Sequence, residues 1–390
     1  MTRPHPPPAT PAAHALLLGV ARAALRPDGE AAEELALHGV DWDEFLALAG
    51  RNRLLPLAHR LLGDRPGVPD EVRAALRTAY ARNGRQALAL SGRLRVVAEA
   101  MEAAGVRALA YKGPALAVRA YGHLALRTCS DLDLLVAPRD VDAAARVLEA
   151  GGYHAAWRLT PAQDALFRRV DGDYPFVHGE TGELVELHCR ISSARFCAEL
   201  PAAELIARAR PVPIGGGEVA APADDDLFLA LCLHGAKHRW ARLEWLAAAA
   251  ALARRAELDL DGALDRATGI GARRTVLLAL LLFRDALGMP PTESIDRTLA
   301  ADPPLAELAA EARGLWLRAD ADEYDAPGKV RFNFRLRDGA ADRVRYAARW
   351  LFTPTPEDWA WLALPDALAP LHRLLRPLRL AARHRPGRRR

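Results

Sequence analysis

The sequence predicts an α+β protein that is dominated by helices, with a small mixed β-sheet in the first half of the chain. Apolar residues recur at helical spacing over residues 11–105 and again from about residue 224 onward. Between these two regions, short apolar or alternating runs are separated by turns that contain glycine. Helices and strands present side chains with periods of 3.6 and 2 residues, so this change of period marks a change of structure.

These runs divide the 390 residues into five segments. Residues 1–10 are rich in proline and are expected to be disordered. After them we predict an N-terminal helical region (11–99), a central core (100–222), a C-terminal helical region (223–380) and a basic tail (381–390). In the first helical region, Asp41 stands where a helix N-cap is expected, directly before Trp42.

The core contains four segments with strand-like patterns, and a Gly-Glu-Thr-Gly turn joins the last two as a hairpin. These segments are Val106–Ala110, Ser130–Val136, Tyr174–His178 and Glu183–Ile191. A helix is predicted over Arg139–Ala150. Beyond the core, the three acids Asp224–Asp226 favour the start of a long helix, which is predicted to continue to Arg255.

Asp131 and Asp133 lie two residues apart in an extended segment, so both carboxylates point to the same face. Two acids at the end of a buried strand repel each other, and a cation that prefers oxygen ligands, Mg²⁺ or Mn²⁺, would neutralise them. Glu186 and His188 share a face of another segment, and Glu186 would supply a third carboxylate for a two-metal site. The alternative is that these acids face solvent at the end of the sheet.

Gly113 lies between an apolar strand and a helix-like segment that begins at Pro114. A glycine there lets the backbone N–H groups of a helix N-terminus approach a phosphate closely. Lys112 is placed to reach the same anion, and a lysine is notable in a chain with three lysines and fifty arginines. Arg127 is a second candidate, because a guanidinium binds phosphate oxygens bidentately.

Together these motifs resemble the catalytic core of the DNA polymerase beta nucleotidyltransferase superfamily. More closely, the chain resembles the bacterial uncharacterised nucleotidyltransferase family, which is often found in biosynthetic gene clusters. The resemblance runs from about residue 35 to 380 and is carried by Tyr111–Gly113, Leu116–Ala117, Tyr121, Arg127, Asp131–Val136, Glu186–Cys189, His234–Leu246, Thr353–Trp359 and Leu374–Leu380. Lys112-Gly113 departs from the Gly-Ser of the wider superfamily, and Ala247–Ala251 stand where the family often has an aspartate.

This resemblance implies a transferase that moves a nucleoside monophosphate from an NTP, expected to be ATP, to an acceptor hydroxyl. It implies that Asp131, Asp133 and Glu186 bind Mg²⁺ or Mn²⁺ and are the catalytic residues. Residues expected to contact the nucleotide and its phosphates are Lys112, Gly113, Arg127, His188, Lys237 and His238. The acceptor stays open: a sugar, an antibiotic-like small molecule, a modified peptide or a protein side chain would each fit.

His234 and His238 lie one helical turn apart and allow two interpretations. As an HxxxH pair they would bind zinc in a metallohydrolase, but Gly235 stands where such a site has its general base. We favour a substrate-facing patch whose positive charge opposes the triphosphate, formed by His234, Lys237, His238, Arg239 and Arg242. A solvated helix face is the alternative. Trp240 and Trp245 are predicted to be packing residues.

The composition indicates an ordinary globular protein, with 51% hydrophobic and 26% charged residues. Its net charge of +4 depends on residues 371–390, which carry eight arginines and no acid. No apolar run approaches the roughly 20 residues that span a bilayer, and the four cysteines fit reduced thiols. We therefore predict a cytoplasmic protein. Two further functions stay open: kinase-like phosphoryl transfer from the same core, and non-catalytic nucleotide or partner binding in a biosynthetic assembly.

Overall fold

The computed structural model describes residues 11–26, 34–318, 321 and 325–383. The predicted proline-rich segment 1–10 lies outside the described residues, as do residues 384–390 of the predicted basic tail. The N-terminal helices are α1 (Pro11–Ala23), α2 (Trp42–Arg51), α3 (Leu55–Leu62) and α4 (Asp70–Ala103). Asp41 caps α2, as predicted, because its side chain accepts a hydrogen bond from the backbone N–H of Glu44.

The central part of the chain alternates strands with short helices. Its elements are β1 (Leu109–Ala110), α5 (Gly113–Tyr121), β2 (Asp131–Leu135), α6 (Val141–Ala150), β3 (Tyr153–Ala155), α7 (Pro161–Val170), β4 (Asp173–His178), β5 (Leu184–His188), α8 (Ala202–Ala207), β6 (Arg210–Ile214) and β7 (Gly217–Ala221). The four predicted strands are present, although the first is shorter than predicted. The pattern analysis did not identify β3 or the β6–β7 hairpin.

Five strands form a mixed sheet in the order β1-β2-β5-β4-β3. Strands β2 and β5 run parallel, and the other neighbouring pairs are antiparallel. The predicted α+β class with a small mixed sheet and a predominance of helices is therefore confirmed. Because β2 and β5 are adjacent, Asp133 stands directly opposite Glu186 in the register. This pairing brings Asp133 and Glu186, which are 53 residues apart in the chain, onto one face of the sheet.

The C-terminal helices are α9 (Asp224–Lys237), α10 (Leu243–Arg255), α11 (Leu260–Gly269), α12 (Arg273–Leu287), α13 (Glu293–Ala300), α14 (Pro304–Trp316), α15 (Ala326–Leu336), α16 (Ala340–Phe352), α17 (Pro356–Trp361) and α18 (His372–Arg383). None of the helices in the described part of the chain has the length and apolar character needed to cross a membrane.

The prediction of one helix from Asp224 to Arg255 is wrong, because the chain turns between α9 and α10. Arg239 and Trp240 both have positive φ angles, 59° and 52°, which end the helix. The ring of Trp240 then folds back onto Gly235, where a Cβ atom would lie 2.4 Å from it. This turn directs the end of α9 and the start of α10 toward the sheet.

The N-terminal and C-terminal helices share one hydrophobic core, which includes Leu16, Phe45, Phe228 and Leu277. Asn52, fully buried at the end of α2, links these regions by hydrogen bonds. Its side-chain amide donates to the carbonyl of Trp316 at 2.8 Å, and its side-chain oxygen accepts from the N–H of Leu243 at 3.0 Å. The two helical regions therefore pack as one body against the sheet.

Candidate active site

The acids of the candidate site project from the paired strands β2 and β5. Asp131 and Asp133 share one face of β2, as their spacing predicted, and Glu186 and His188 lie on the same face of β5. One ligand atom from each of Asp133, Glu186 and His188 lies within 4.8 Å of the other two. Asp131 lines the same cavity one step farther along the strand.

Asp133 is almost completely buried and has two basic neighbours. Its Oδ1 atom lies 2.7 Å from Lys112 Nζ and 3.3 Å from His188 Nε2. The same imidazole nitrogen lies 3.4 Å from Glu186 Oε2, and its Nδ1 lies 3.7 Å from Asp173 Oδ1. Lys112 therefore forms a direct ion pair with Asp133. His188 lies within 4 Å of three acids, Asp133, Asp173 and Glu186.

These contacts shift the protonation equilibria in opposite directions. Burial disfavours the charge of Asp133, but Lys112 and His188 more than offset it and hold the pKa of that carboxyl below its usual range. Burial likewise opposes protonation of His188, yet Asp173, Asp133 and Glu186 raise its pKa to about 9. The imidazole is therefore a cation at pH 7 and has no lone pair available to accept a proton.

Asp131 differs from Asp133, because the structure gives its carboxylate no ion pair among the described residues. Burial raises the pKa of Asp131, and the negative charges of Asp133 and Glu186 raise it further. Lys112 and Arg127 act in the opposite direction but do not offset this increase. Such uncompensated negative charge is costly in a partly desolvated site unless a cation balances it.

Gly113 begins α5 with a φ angle of +56°, a conformation that side chains disfavour. A Cβ atom at this position would lie 3.3 Å from the carbonyl oxygen of Asp131, so the glycine also permits the close approach of α5 to β2. Gly113 itself does not line the cavity, whereas Lys112, the residue before it, does. Lys112 and the backbone beside it are therefore the groups at the start of α5 that we expect to contact an anion.

Arg127 lines the cavity, but its guanidinium is also engaged inside the protein. Its Nε lies 2.8 Å from Oε1 of Glu244, a fully buried residue of α10. The sequence predicted a phosphate contact for Arg127 and did not anticipate this ion pair. The pair joins the segment before β2 to α10 of the C-terminal region.

A cavity of about 490 Å³ lies between the acids of the sheet and the turn that connects α9 and α10. Six residues from the end of α9, the turn and the start of α10 line the cavity: Leu233, His234, Lys237, His238, Arg242 and Trp245. Trp240 is fully buried, as predicted for a packing residue, whereas Trp245 lines the cavity and packs against Arg242. Lys112 and Lys237 line the cavity, and Lys329 lies behind its lining, with its Nζ 3.3 Å from His238 Nδ1.

The positive charge of this wall comes from Lys237 and Arg242 and not from the imidazoles. Burial and the surrounding cations lower the pKa of His234 and His238 well below the usual histidine value, so both are neutral at pH 7. The expectation that they contribute positive charge is therefore wrong. Their ring centroids lie 4.8 Å apart, but no group of three metal ligands within the described residues includes them.

Arg239 lies outside the cavity lining, although the sequence placed it in the substrate-facing patch. It is buried, and its Nη1 lies 3.1 Å from Asp325 Oδ2. The positive φ angle of Arg239 directs this side chain away from α9 and toward the segment before α15. Its role in the described structure is to connect these two parts of the C-terminal region.

Arg53 lines the cavity and was missed in the sequence analysis. It follows Asn52 at the end of α2 and has a φ angle of +57°, which is unfavourable for a residue with a side chain. Burial and the nearby cation Arg242 lower its pKa. Within the described residues its guanidinium forms no ion pair. The Asn52-Arg53 pair at the end of a predicted helix could have drawn attention to Arg53. Neighbouring residues in the sequence, however, gave no indication that Arg53 lies near the acids of the sheet.

The donor set fits a divalent cation that prefers oxygen ligands. Asp131, Asp133 and Glu186 supply carboxylate oxygens on one face, and Asp131 forms no ion pair with the described residues. Lys112 contacts Oδ1 of Asp133, so the second carboxylate oxygen of that residue remains for a ligand. Hard oxygen donors of this kind suit Mg²⁺ or Mn²⁺.

Comparison with known proteins gives one positive finding. A family model described as "Uncharacterised nucleotidyltransferase" matches residues 38–288, which is more than half of the chain. The match covers α2 through α12 and therefore includes both cavity walls described above, the acids of the sheet and the α9–α10 turn. A search of curated proteins finds no match.

Proposed function

The chain belongs to this nucleotidyltransferase family, and we propose that it is a metal-dependent enzyme that transfers a nucleoside monophosphate from ATP to an acceptor hydroxyl. The observation that carries the proposal is the parallel pairing of β2 with β5. This pairing places Asp133 beside Glu186, with Asp131 on the same face, in a cavity whose opposite wall is cationic.

In this scheme Asp131, Asp133 and Glu186 hold the metal. A bound Mg²⁺ or Mn²⁺ would neutralise charge on the carboxylates and the phosphates. Lys112 holds Asp133 ionised and in position, and His188 restrains Asp133 and Glu186 from the other side. These residues act mainly by positioning charge before the reaction begins.

The cations around the cavity bind the triphosphate. Lys237 and Arg53 line the cavity and form no side-chain ion pair with the residues that the structure describes, so both are available to phosphate oxygens. Arg127, Arg242 and the backbone beside Lys112 and Gly113 extend this surface. Neutral His234 and His238 would donate or accept hydrogen bonds without adding charge.

The transfer is an in-line displacement at the α-phosphorus. The acceptor oxygen forms a bond to that phosphorus, the bond to the oxygen that bridges the α- and β-phosphorus breaks, and pyrophosphate leaves with the electron pair. Glu186 takes the hydroxyl proton. We assign this role to Glu186 because its side chain is partly exposed to the cavity, whereas His188 is almost completely buried and contacts both Asp133 and Glu186.

Melting temperatures measured with each NTP, with and without Mg²⁺ or Mn²⁺, test the proposal. We expect a metal-dependent increase with ATP, since a ligand at 100 times its Kd stabilises the native state by about 2.7 kcal/mol. The increase should disappear in Asp131→Asn and Glu186→Gln and persist in Glu149→Gln, an exposed acid of α6. No shift with any nucleotide would contradict the proposal.

The identity of the released product separates nucleotidyl from phosphoryl transfer. With ATP and an active acceptor, we expect pyrophosphate, because the acids and cations surround a complete triphosphate in the scheme above. Release of ADP would instead establish kinase-like transfer from the same core.

A further inference from the structure

A second cavity of about 1120 Å³ lies beside the catalytic cavity. Helices α15, α16 and α18 and the segment before α17 form its walls. Most of its lining is apolar or aromatic and comprises Ala326, Pro327, Val330, Phe334, Tyr346, Ala347, Trp350, Leu351 and Leu380. Phe334 is 39% exposed, which is unusual for a large apolar side chain in a concave surface.

The two cavities share a wall, because Thr355 and Glu357 line both of them. The buried carboxylate of Asp358 holds this wall in place. It accepts hydrogen bonds from the backbone N–H of Thr355 at 2.8 Å and from the Thr355 hydroxyl at 2.9 Å. Arg376 and Arg379 of α18 also donate to it. A molecule in the second cavity would therefore lie next to the catalytic cavity, at the segment that carries Thr355 and Glu357.

Most polar groups of the second cavity are already paired within the protein. Asp325 pairs with Arg239, and Arg376 and Arg379 pair with Asp358. A sugar would bury several hydroxyl groups here with few partners, which is costly. An aromatic or aliphatic body would instead gain about 25 cal/mol for each Å² of apolar surface removed from water. The lining thus favours an apolar ligand.

We propose that this second cavity binds the acceptor, a small molecule with an aromatic or aliphatic body whose hydroxyl group reaches past Thr355 and Glu357 into the catalytic cavity. This inference rests on the proposed function and narrows its substrate class. The reaction is the displacement described above, with the hydroxyl oxygen bonding to the α-phosphorus, pyrophosphate leaving and the proton passing to Glu186. Apolar pockets with a few convergent polar groups are typical of small-molecule sites.

The first test uses N-phenyl-1-naphthylamine, a neutral aromatic probe whose fluorescence rises in apolar surroundings. Ala347→Trp fills the cavity from α16, and Ala348→Trp places the same side chain on the adjacent exposed position outside the lining. We expect saturable binding of one probe to the wild type and to Ala348→Trp, and at least tenfold weaker binding to Ala347→Trp. Equal binding to all three proteins, each with a cooperative melting transition, would overturn the proposal.

The second test asks whether the ligand of this cavity is the acceptor. Pyrophosphate release from ATP and Mg²⁺ is measured with a panel of hydroxylated naphthalenes and biphenyls and with a panel of hexoses and polyols. We expect stimulation by the aromatic panel, lost in Ala347→Trp and kept in Ala348→Trp. Stimulation by the sugars, or by neither panel, would overturn the assigned acceptor class. The nucleotide-dependent melting shift of the wild type reports separately on the proposed function.

Discussion

Two groups of acids in this protein differ in the cations that surround them. Asp226 and Asp358 contact two arginines each, whereas the acids of the candidate site have fewer direct cation partners. Asp226, at the start of α9, contacts Arg208 through two hydrogen bonds of 2.9 Å and also contacts Arg266. Asp358 is likewise held between two arginines. On the sheet, by contrast, Asp131, Asp133 and Glu186 share Lys112 and His188, and Asp131 has no cation of its own among the described residues.

The direction of the pKa shifts expresses the same contrast. Burial opposes the charge of Asp358, but the Thr355 N–H group and the two arginines lower its pKa. For Asp131, burial and the neighbouring acids act together and raise the pKa. Asp358 thus has its charge balanced by direct partners, and Asp133 resembles it because Lys112 and His188 lower its pKa. The contrast is therefore between Asp358 and Asp131, which has no ion pair among the described residues. Three experiments test the distinction between residues that stabilise the fold and residues that serve the candidate site.

The largest expected effect is the loss of stability in Asp358→Asn. The substitution leaves Arg376 and Arg379 buried without a counter-charge, and the free energy of unfolding should fall by about 3 kcal/mol. Chemical denaturation at pH 7 measures this change, with Glu149→Gln as the control. A variant as stable as the wild type would show that balanced charge at Asp358 does not stabilise the fold.

The second effect concerns nucleotide affinity and Arg53. If this cation serves the ligand and not the fold, Arg53→Ala should bind ATP and Mg²⁺ about tenfold more weakly, because a hydrogen bond to a charged group contributes about 1.5 kcal/mol. Calorimetric titration measures the Kd. Arg82→Ala, at an exposed position of α4, is the control, and Arg53→Lys should recover part of the affinity. Unchanged affinity in Arg53→Ala would remove Arg53 from the site.

The smallest effect is a pH dependence of opposite sign at the two kinds of acid. Because the folded-state pKa of Asp131 is raised, its ionisation costs stability, so Asp131→Asn should be the more stable protein at pH 7, by less than about 1 kcal/mol. This difference should vanish as the pH falls below the unfolded value of about 3.9. The folded-state pKa of Asp358 is lowered, so its contribution is present above that value and is lost as the pH falls through the folded pKa.

Denaturation curves of the wild type and both variants from pH 3 to 8 would measure the two slopes. If Asp131→Asn destabilises the metal-free protein as Asp358→Asn does, then Asp131 is a structural acid, and the distinction between the two groups of acids fails.

Local patterns in the sequence could predict which residues share a face, but not which strands pair. The alternation around Asp131 and Asp133 placed both carboxylates correctly on one side of the strand. Their proximity to Glu186 follows from the parallel pairing of β2 with β5. This pairing joins distant parts of the chain, so no short stretch of sequence can predict it. The resemblance to a known family, and not the periodicity, implied that Asp131, Asp133 and Glu186 belong to one site.

The errors in the sequence analysis have the same physical origin. The acids Asp224–Asp226 favoured the start of one long helix, whereas the turn at Arg239 and Trp240 places a tryptophan ring against Gly235. The charges predicted for His234 and His238 assumed exposure to water, whereas burial, which includes ring contacts with Trp245, and the nearby charges of Lys112 and Lys237 keep them neutral. Tertiary contacts decided both cases.

The wall formed by Thr355 and Glu357 has a consequence for how the protein is made. The ribosome synthesises the acids of β2 and β5 long before this segment, and Arg376 and Arg379, which hold Asp358, are made later still. A nascent chain therefore exposes the carboxylates of the sheet before the wall between the two cavities can form. That wall is held in place only when α18 has left the exit tunnel and its two arginines contact Asp358.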